Sequence, residues 1–324
     1  MDAANATLKE LTEEIGRVIV GQRSLVEGLL IGLLAGGHVL VEGVPGLAKT
    51  TAVRTLAHTL GLGFRRIQFT PDLLPGDLIG TPIYVPDERR FTVRQGPIFA
   101  PIVLADEINR APAKVQSALL EAMEERQVTI GEETFILPDP FMVMATMNPI
   151  DLEGTYPLPE AQIDRFLLKL LVPYPEAEEE KEIVARDGGE RPALRTVTDA
   201  AAVRELRRAA SAVHLADSIA DYAVRLVRAT RDPQAAGARL ASPENRPVAG
   251  CIAVGASPRG SIFLVRAARA RALLDQRRHA TPHDVKRVAA DVLRHRLILS
   301  YEAEADGVSV EAIVQAVLDA VETP

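Results

Sequence analysis

The run Gly43-Val44-Pro45-Gly46-Leu47-Ala48-Lys49-Thr50 carries the clearest chemistry in the chain. It follows the pattern of a phosphate-binding loop, with alanine where the second glycine usually stands. In such a loop, successive backbone N–H groups and a helix N-terminus converge on phosphate oxygens. Lys49 would neutralise the β- and γ-phosphates, and the Thr50 hydroxyl would ligate Mg²⁺. Ala48 suits this loop if its backbone has helical dihedrals, as in the first turn of a helix. A positive φ would not suit it.

Two carboxylates lie downstream. Asp106 and Glu107 end the apolar run Pro101-Ile102-Val103-Leu104-Ala105. Asp106 would hold Mg²⁺ through water, and Glu107 would orient or deprotonate an attacking water. Consecutive residues at a strand end point different ways, which keeps metal and base adjacent but separate. Asn148 follows the apolar run 141–147. It would hydrogen-bond water or a γ-phosphate, or begin a turn before Pro149. Arg165, after Asp164, is either that residue's ion partner or a forked, permanent cation for a neighbour's γ-phosphate. Arg259 opens a helix, where the dipole gives a cation nothing. It is either a surface arginine or a partner for an external anion.

These residues need elements to position them. Leu8, Leu11, Ile15 and Val18 recur at helical spacing near the N-terminus. Ser24 and Glu27 read as a capping box for a helix over 25–34. Strands are predicted over 38–42, 64–69, 102–106, 141–147 and 166–172. Helices fall between most of them, one over 50–60 and one with Val115, Leu119 and Met123 on its face. Strands alternating with helices mean a mostly parallel sheet covered on both sides. Two stretches interrupt the alternation. Residues 71–101 hold six prolines and a hairpin pairing 81–85 with 90–94. Residues 128–137 form a second hairpin turning near Gly131. Beyond residue 175 strands vanish, and helices are predicted over 199–214, 217–231, 258–276, 282–294 and 310–321. Ser257 and Thr281 would cap two of them, each before a proline at the first helical position.

The fold class is therefore α/β, a five-stranded core over 1–175 followed by an all-α domain over 196–324, with a linker over 176–195. A length of 324 residues suits two domains. The net charge of −7 and the 4% of aromatic residues argue against a nucleic-acid partner. One cysteine, Cys251, excludes an internal disulfide. The longest apolar stretch, 25–41, contains Glu27, His38 and four glycines, so no membrane span is expected. Cytoplasm is the expected location. His279, His283 and His295 lack carboxylate neighbours and read as ordinary surface histidines, and Glu178–Glu180 as a solvated helix face.

In this order, GVPGLAKT, LADEINRAPAKVQSALLEAMEERQVT, ATMNP, EAQIDRF and GASPRG resemble the MoxR family of AAA+ ATPases over nearly the whole chain. The family pattern includes alanine at position 48. The resemblance implies ATP and Mg²⁺ as ligands and an AAA+ P-loop core with a helical lid. It implies that Val20, Gly21 and Gln22 line an adenine pocket. Asn148 would be sensor 1, Arg165 the arginine finger and Arg259 sensor 2, acting within its own subunit or across an interface. The stretch 71–100 would be an insertion in helix 2. A homo-oligomeric, hexameric ring is implied, with a chaperone-like role on protein clients and often a von Willebrand factor A domain partner. Two rival readings remain: a DNA-acting AAA+ motor, and a slow nucleotide-gated scaffold.

Overall fold

A computed structural model describes residues 2–44, 46–148, 155–186, 192–240 and 247–324. The elements in chain order are α1 (Asp2–Gly16), α2 (Arg23–Leu34), β1 (Val39–Glu42), α3 (Lys49–Thr59), β2 (Phe64–Gln68), α4 (Pro75–Ile79), β3 (Gly80–Val85), β4 (Arg90–Gln95), β5 (Ile102–Asp106), α5 (Ala113–Glu125), β6 (Gln127–Ile130), β7 (Glu133–Ile136), β8 (Met142–Met147), α6 (Glu160–Ile163), β9 (Leu168–Leu171), α7 (Ala177–Arg186) and α8 (Ala200–Ser211). There follow α9 (Asp217–Arg231), β10 (Ile252–Val254), α10 (Pro258–Leu274), α11 (Pro282–Leu293), β11 (Ile298–Leu299), α12 (Tyr301–Ala305) and α13 (Val310–Ala320).

The chain divides into two compact units. One comprises Asp2–Phe166 with Leu170–Arg207, and the other Leu167–Lys169 with Arg208–Pro324. The first is built on a five-stranded sheet in the order β2-β5-β8-β1-β9. Its pairs β2–β5, β5–β8 and β1–β8 are parallel. The inner strands are buried along almost their whole length, IVLA in β5 and MVMAT in β8. That continuity, rather than alternation, marks a sheet covered on both faces.

Parallel register sets where the site can be. Glu42 pairs with Met147, Ala105 with Ala145 and Gln68 with Asp106. The phosphate loop, the two carboxylates and Asn148 therefore all leave the sheet at its carboxyl edge, where open α/β sheets bind ligands.

Several local expectations need correction. Ser24 does not cap α2. The helix begins two residues earlier than expected, after Gln22 in the left-handed region with no side-chain cap, because the chain enters from a left-handed Gly21–Gln22 turn. The stretch read as a linker carries α7, and residues 187–191 of it lie outside the described residues. Strands also do not vanish after 175: β10 and β11 pair antiparallel in the helical unit. Two- and three-residue strands are too short to leave a period in the sequence.

Both predicted hairpins are present. β3 and β4 pair with Thr81 opposite Arg94 and Val85 opposite Arg90. β6 and β7 turn at Gly131, whose φ is +66°. In the helical unit, Leu226, Val227, Leu264, Val285, Val292 and Val317 are buried. Ser257 Oγ accepts from the Arg259 N–H at the start of α10, and Thr281 forms a capping box with Asp284 on α11. Cys251 is free and buried. No helix among the described residues is long and apolar enough to cross a membrane.

Candidate functional site

β1 delivers the phosphate loop. Val39, Leu40 and Val41 are buried, and the chain leaves the sheet at Glu42. Position 43 must be glycine, because a Cβ there would stand 2.9 Å from the Val172 carbonyl oxygen. Val44 is half-buried, Gly46 exposed and Leu47 buried; Pro45 lies outside the described residues.

Ala48 has φ 55° and ψ 16°, so it flanks α3 from the left-handed region. The expectation of helical dihedrals there is overturned. A concavity of successive N–H groups is built by alternating right- and left-handed residues. That requirement outweighs the crowding of Cβ against the next carbonyl, about 1–2 kcal/mol.

Lys49 and Thr50 open α3 and are half-buried. Lys49 Nζ donates to the Gly43 carbonyl at 2.6 Å, closing the loop on itself. Burial lowers the lysine pKa, while Asp106, Glu107 and Glu42 pull it back up. The ammonium is thus tied to the loop and feels the charge of the acidic pair.

Asp106 ends β5, and Glu107 follows it with φ 56° and ψ 51°. The divergence of the two carboxylates therefore comes from a left-handed residue, not from strand alternation as expected. Such strained residues cluster at functional sites. Arg66 on β2 donates to Asp106 Oδ2 through Nε at 2.9 Å and Nη2 at 2.6 Å. Thr146 Oγ1 donates to the other oxygen, Oδ1, at 2.5 Å. Glu107 Oε2 accepts from Gln68 Nε2 at 2.8 Å and from Arg110 Nη1 at 2.9 Å.

Asn148 is buried and follows the last residue of β8, one step beyond the Glu42–Met147 pair. The turn into Pro149 lies outside the described residues. Arg165 follows α6, and its Nε meets Glu124 Oε2 on α5 at 2.8 Å. Arg259 belongs to the helical unit, half-buried in the first turn of α10.

Gly21 and Gln22, both left-handed, turn the chain ahead of α2. Gln22 Nε2 donates to the Pro173 carbonyl at 3.3 Å. Gln22 lines a cavity of about 870 Å³ together with Val18, Ile19, Val20, Leu47 and Ala48. The cavity is thus continuous with the phosphate loop. Its walls are mixed, apolar at Val18, Ile19, Val20 and Leu47 and polar at Arg17, Arg54, His58 and Arg186. Ile183 and Val184 of α7 complete its wall.

Residues 38–168 match the ATPase family associated with various cellular activities (AAA), and residues 246–317 match the AAA lid domain. Chaperone MoxR1 of Mycobacterium tuberculosis is 51% identical over 318 residues, 98% of this chain and 82% of its own length. The chain belongs to the MoxR family of AAA ATPases. YeaC of Bacillus subtilis is 46% identical over 98% of this chain and 95% of its own. A crystal structure of a candidate ATPase from Cytophaga hutchinsonii matches with a TM-score of 0.91 at 47% identity, covering 99% of this chain and 96% of that one. The protein is an ATP-hydrolysing P-loop enzyme with the AAA+ fold and a helical lid.

The donors in this MoxR chain suit Mg²⁺. The Thr50 hydroxyl and the Asp106 carboxylate offer hard oxygen atoms. Mg²⁺ is usually held by one or two carboxylates and substrate phosphates, not by an all-protein cage. Among the described residues there is no group of three or more His, Cys, Asp or Glu that could hold a metal, and His279, His283 and His295 form none.

Four side chains around the acidic pair escaped sequence reasoning: Arg66, Gln68, Arg110 and Thr146. Their signal was faint. Arg66 and Gln68 alternate on β2, whose pattern is mostly exposed, and Thr146 is the one polar side chain in the buried run of β8.

Proposed function

We propose that this MoxR protein is a Mg²⁺-dependent ATPase that assembles as a hexameric ring. It would use hydrolysis to remodel or mature protein partners, a von Willebrand factor A domain protein among them. The observation that carries this reading is the convergence of the phosphate loop, Asp106, Glu107 and Asn148 on one sheet edge. The name of Chaperone MoxR1, over nearly the full length of this chain, supports the chaperone-like part.

In this reading the cavity lined by Val20 and Gln22 takes adenine. The loop from Gly43 to Thr50 cradles the phosphates through its N–H groups, and Lys49 neutralises their charge. Thr50 and Asp106 would hold Mg²⁺, which would supply positive charge against the phosphates. Glu107 orients the attacking water and accepts its proton, and Asn148 fixes that water or the γ-phosphate. Arg165 reaches the nucleotide of a neighbouring subunit, and Arg259 senses the γ-phosphate from the lid.

The client-facing element in this reading is the β3–β4 hairpin. Tyr84 and Phe91 are 51% and 70% exposed on it and pair with ring centroids 5.3 Å apart. Its charges are partly matched locally, Arg90 with Glu88.

The test uses a stalled enzyme. Glu107→Gln should bind ATP, lose turnover by about 10²–10⁴ and hold partner proteins in cell extract. Lys49→Ala should lose ATP affinity and hold none. Turnover by Glu107→Gln equal to wild type would remove Glu107 from the mechanism. A monomer by light scattering with bound ATP would remove the ring.

A further inference from the structure

β2 is an edge strand of the sheet, yet its Arg66 reaches across to the carboxylate that this reading turns toward the metal. Arg66 pairs in register with Leu104, two residues short of Asp106. A long side chain spans that diagonal. Nε and Nη2 both end on Asp106 Oδ2, at 2.9 and 2.6 Å, and Nη2 also donates to Gln68 Oε1 at 2.7 Å. Gln68 in turn holds Glu107. Thr146 occupies the other Asp106 oxygen. Asp106 therefore already faces a full positive charge at one oxygen and a hydroxyl at the other. The guanidinium cannot lose its charge by deprotonation, so it can only move or be repelled.

We propose that Arg66 competes with Mg²⁺ for Asp106. In the nucleotide-free protein Arg66 is the resident counter-ion of that carboxylate, and the arrival of Mg²⁺–nucleotide weakens or breaks the pair. The proposal rests on the reading of Asp106 as the metal-facing carboxylate. Its thermodynamic consequence is a coupling between two binding events. Whatever free energy the Arg66–Asp106 pair contributes is subtracted from the Mg²⁺-dependent part of nucleotide affinity. The Arg66 side chain is 50% exposed and that of Asp106 14%. A pair so open to solvent is weak, so the expected effect is about two- to fivefold.

The measurement is a ratio of affinities in the full chain. A fluorescent non-hydrolysable ATP analogue is titrated in excess Mg²⁺ and again in EDTA, and the two dissociation constants are compared. Arg66→Gln and Arg66→Met should each raise the Mg²⁺ advantage about two- to fivefold. Arg66→Lys, a point charge without the fork, should fall between them and wild type. Asp106→Asn should collapse the advantage. If both neutral Arg66 variants leave the ratio unchanged or lower it while Asp106→Asn still collapses it, competition is wrong and the metal reading stands. If Asp106→Asn leaves the ratio intact, the metal reading fails and the proposal fails with it.

Discussion

Thr146 donates its buried hydroxyl to Asp106 Oδ1 at 2.5 Å, and Thr146 Oγ1 itself accepts the Glu107 N–H at 2.8 Å. One atom on β8 thus holds both Asp106 at the end of β5 and Glu107 just after it, each through a different group. Thr146→Val keeps the shape and removes the hydroxyl. It leaves a half-buried carboxylate oxygen and a backbone N–H without that partner, at a cost of about 1–3 kcal/mol. We expect a lower melting temperature and slower phosphate release in Thr146→Val, with both largely restored in Thr146→Ser. Equal rates in all three would show that the bridge plays no part in positioning the pair.

Arg165 meets Glu124 of its own chain, so a role at a neighbour's phosphate requires that contact to be exchanged. An arginine finger contributes about 10³–10⁵ in rate. Arg165→Ala should therefore abolish turnover and spare ATP binding. Mixing it with Lys49→Ala subunits should restore part of the rate, since one partner keeps an intact loop and the other an intact arginine. Stable mixed rings without any recovery would place Arg165 in a structural role.

The left-handed backbone of Ala48 makes two substitutions diverge. Glycine reaches φ > 0 without crowding, so Ala48→Gly should fold at least as stably as wild type and keep its ATP affinity. A β-branched side chain is a genuine outlier there. Ala48→Val should cost more than about 1 kcal/mol and weaken ATP binding. Parallel thermal melts and nucleotide titrations check this; a harmless valine would mean that the loop does not need the left-handed residue.

His38 provides a pH dependence remote from the phosphate loop. Its Nδ1 accepts the Val143 N–H at 2.9 Å, so Nε2 carries the proton and donates to the Met123 carbonyl at 3.1 Å. Burial first, then the nearby Arg126 charge, holds its pKa well below the usual 6.5. The unfolded chain therefore takes up this proton before the folded one. The contribution is fully present above about pH 6.5 and shrinks as pH falls below it, by up to about 1.4 kcal/mol per unit. Urea unfolding of wild type and His38→Gln at pH 8, 6.5 and 5 should show the stability gap narrowing toward acid. A constant gap would contradict the assignment.

Much of this protein is written in local sequence. The phosphate loop is a contiguous pattern, and the buried runs before Asp106 and Asn148 announce parallel strands because both faces of such a sheet are apolar. The capping at Ser257 and Thr281 is equally local, depending on a polar side chain next to a proline. Tertiary structure decided what depends on approach between distant segments. Arg66, Gln68 and Thr146 converge on the acidic pair only because β2, β5 and β8, separated in sequence by about 40 residues at each step, lie side by side in register. Glu124 finds Arg165 across 41 positions. The left-handed backbone of Ala48 and Glu107 likewise follows from how the chain must leave one strand and enter the next element. That is a constraint of path, which residue type alone does not encode.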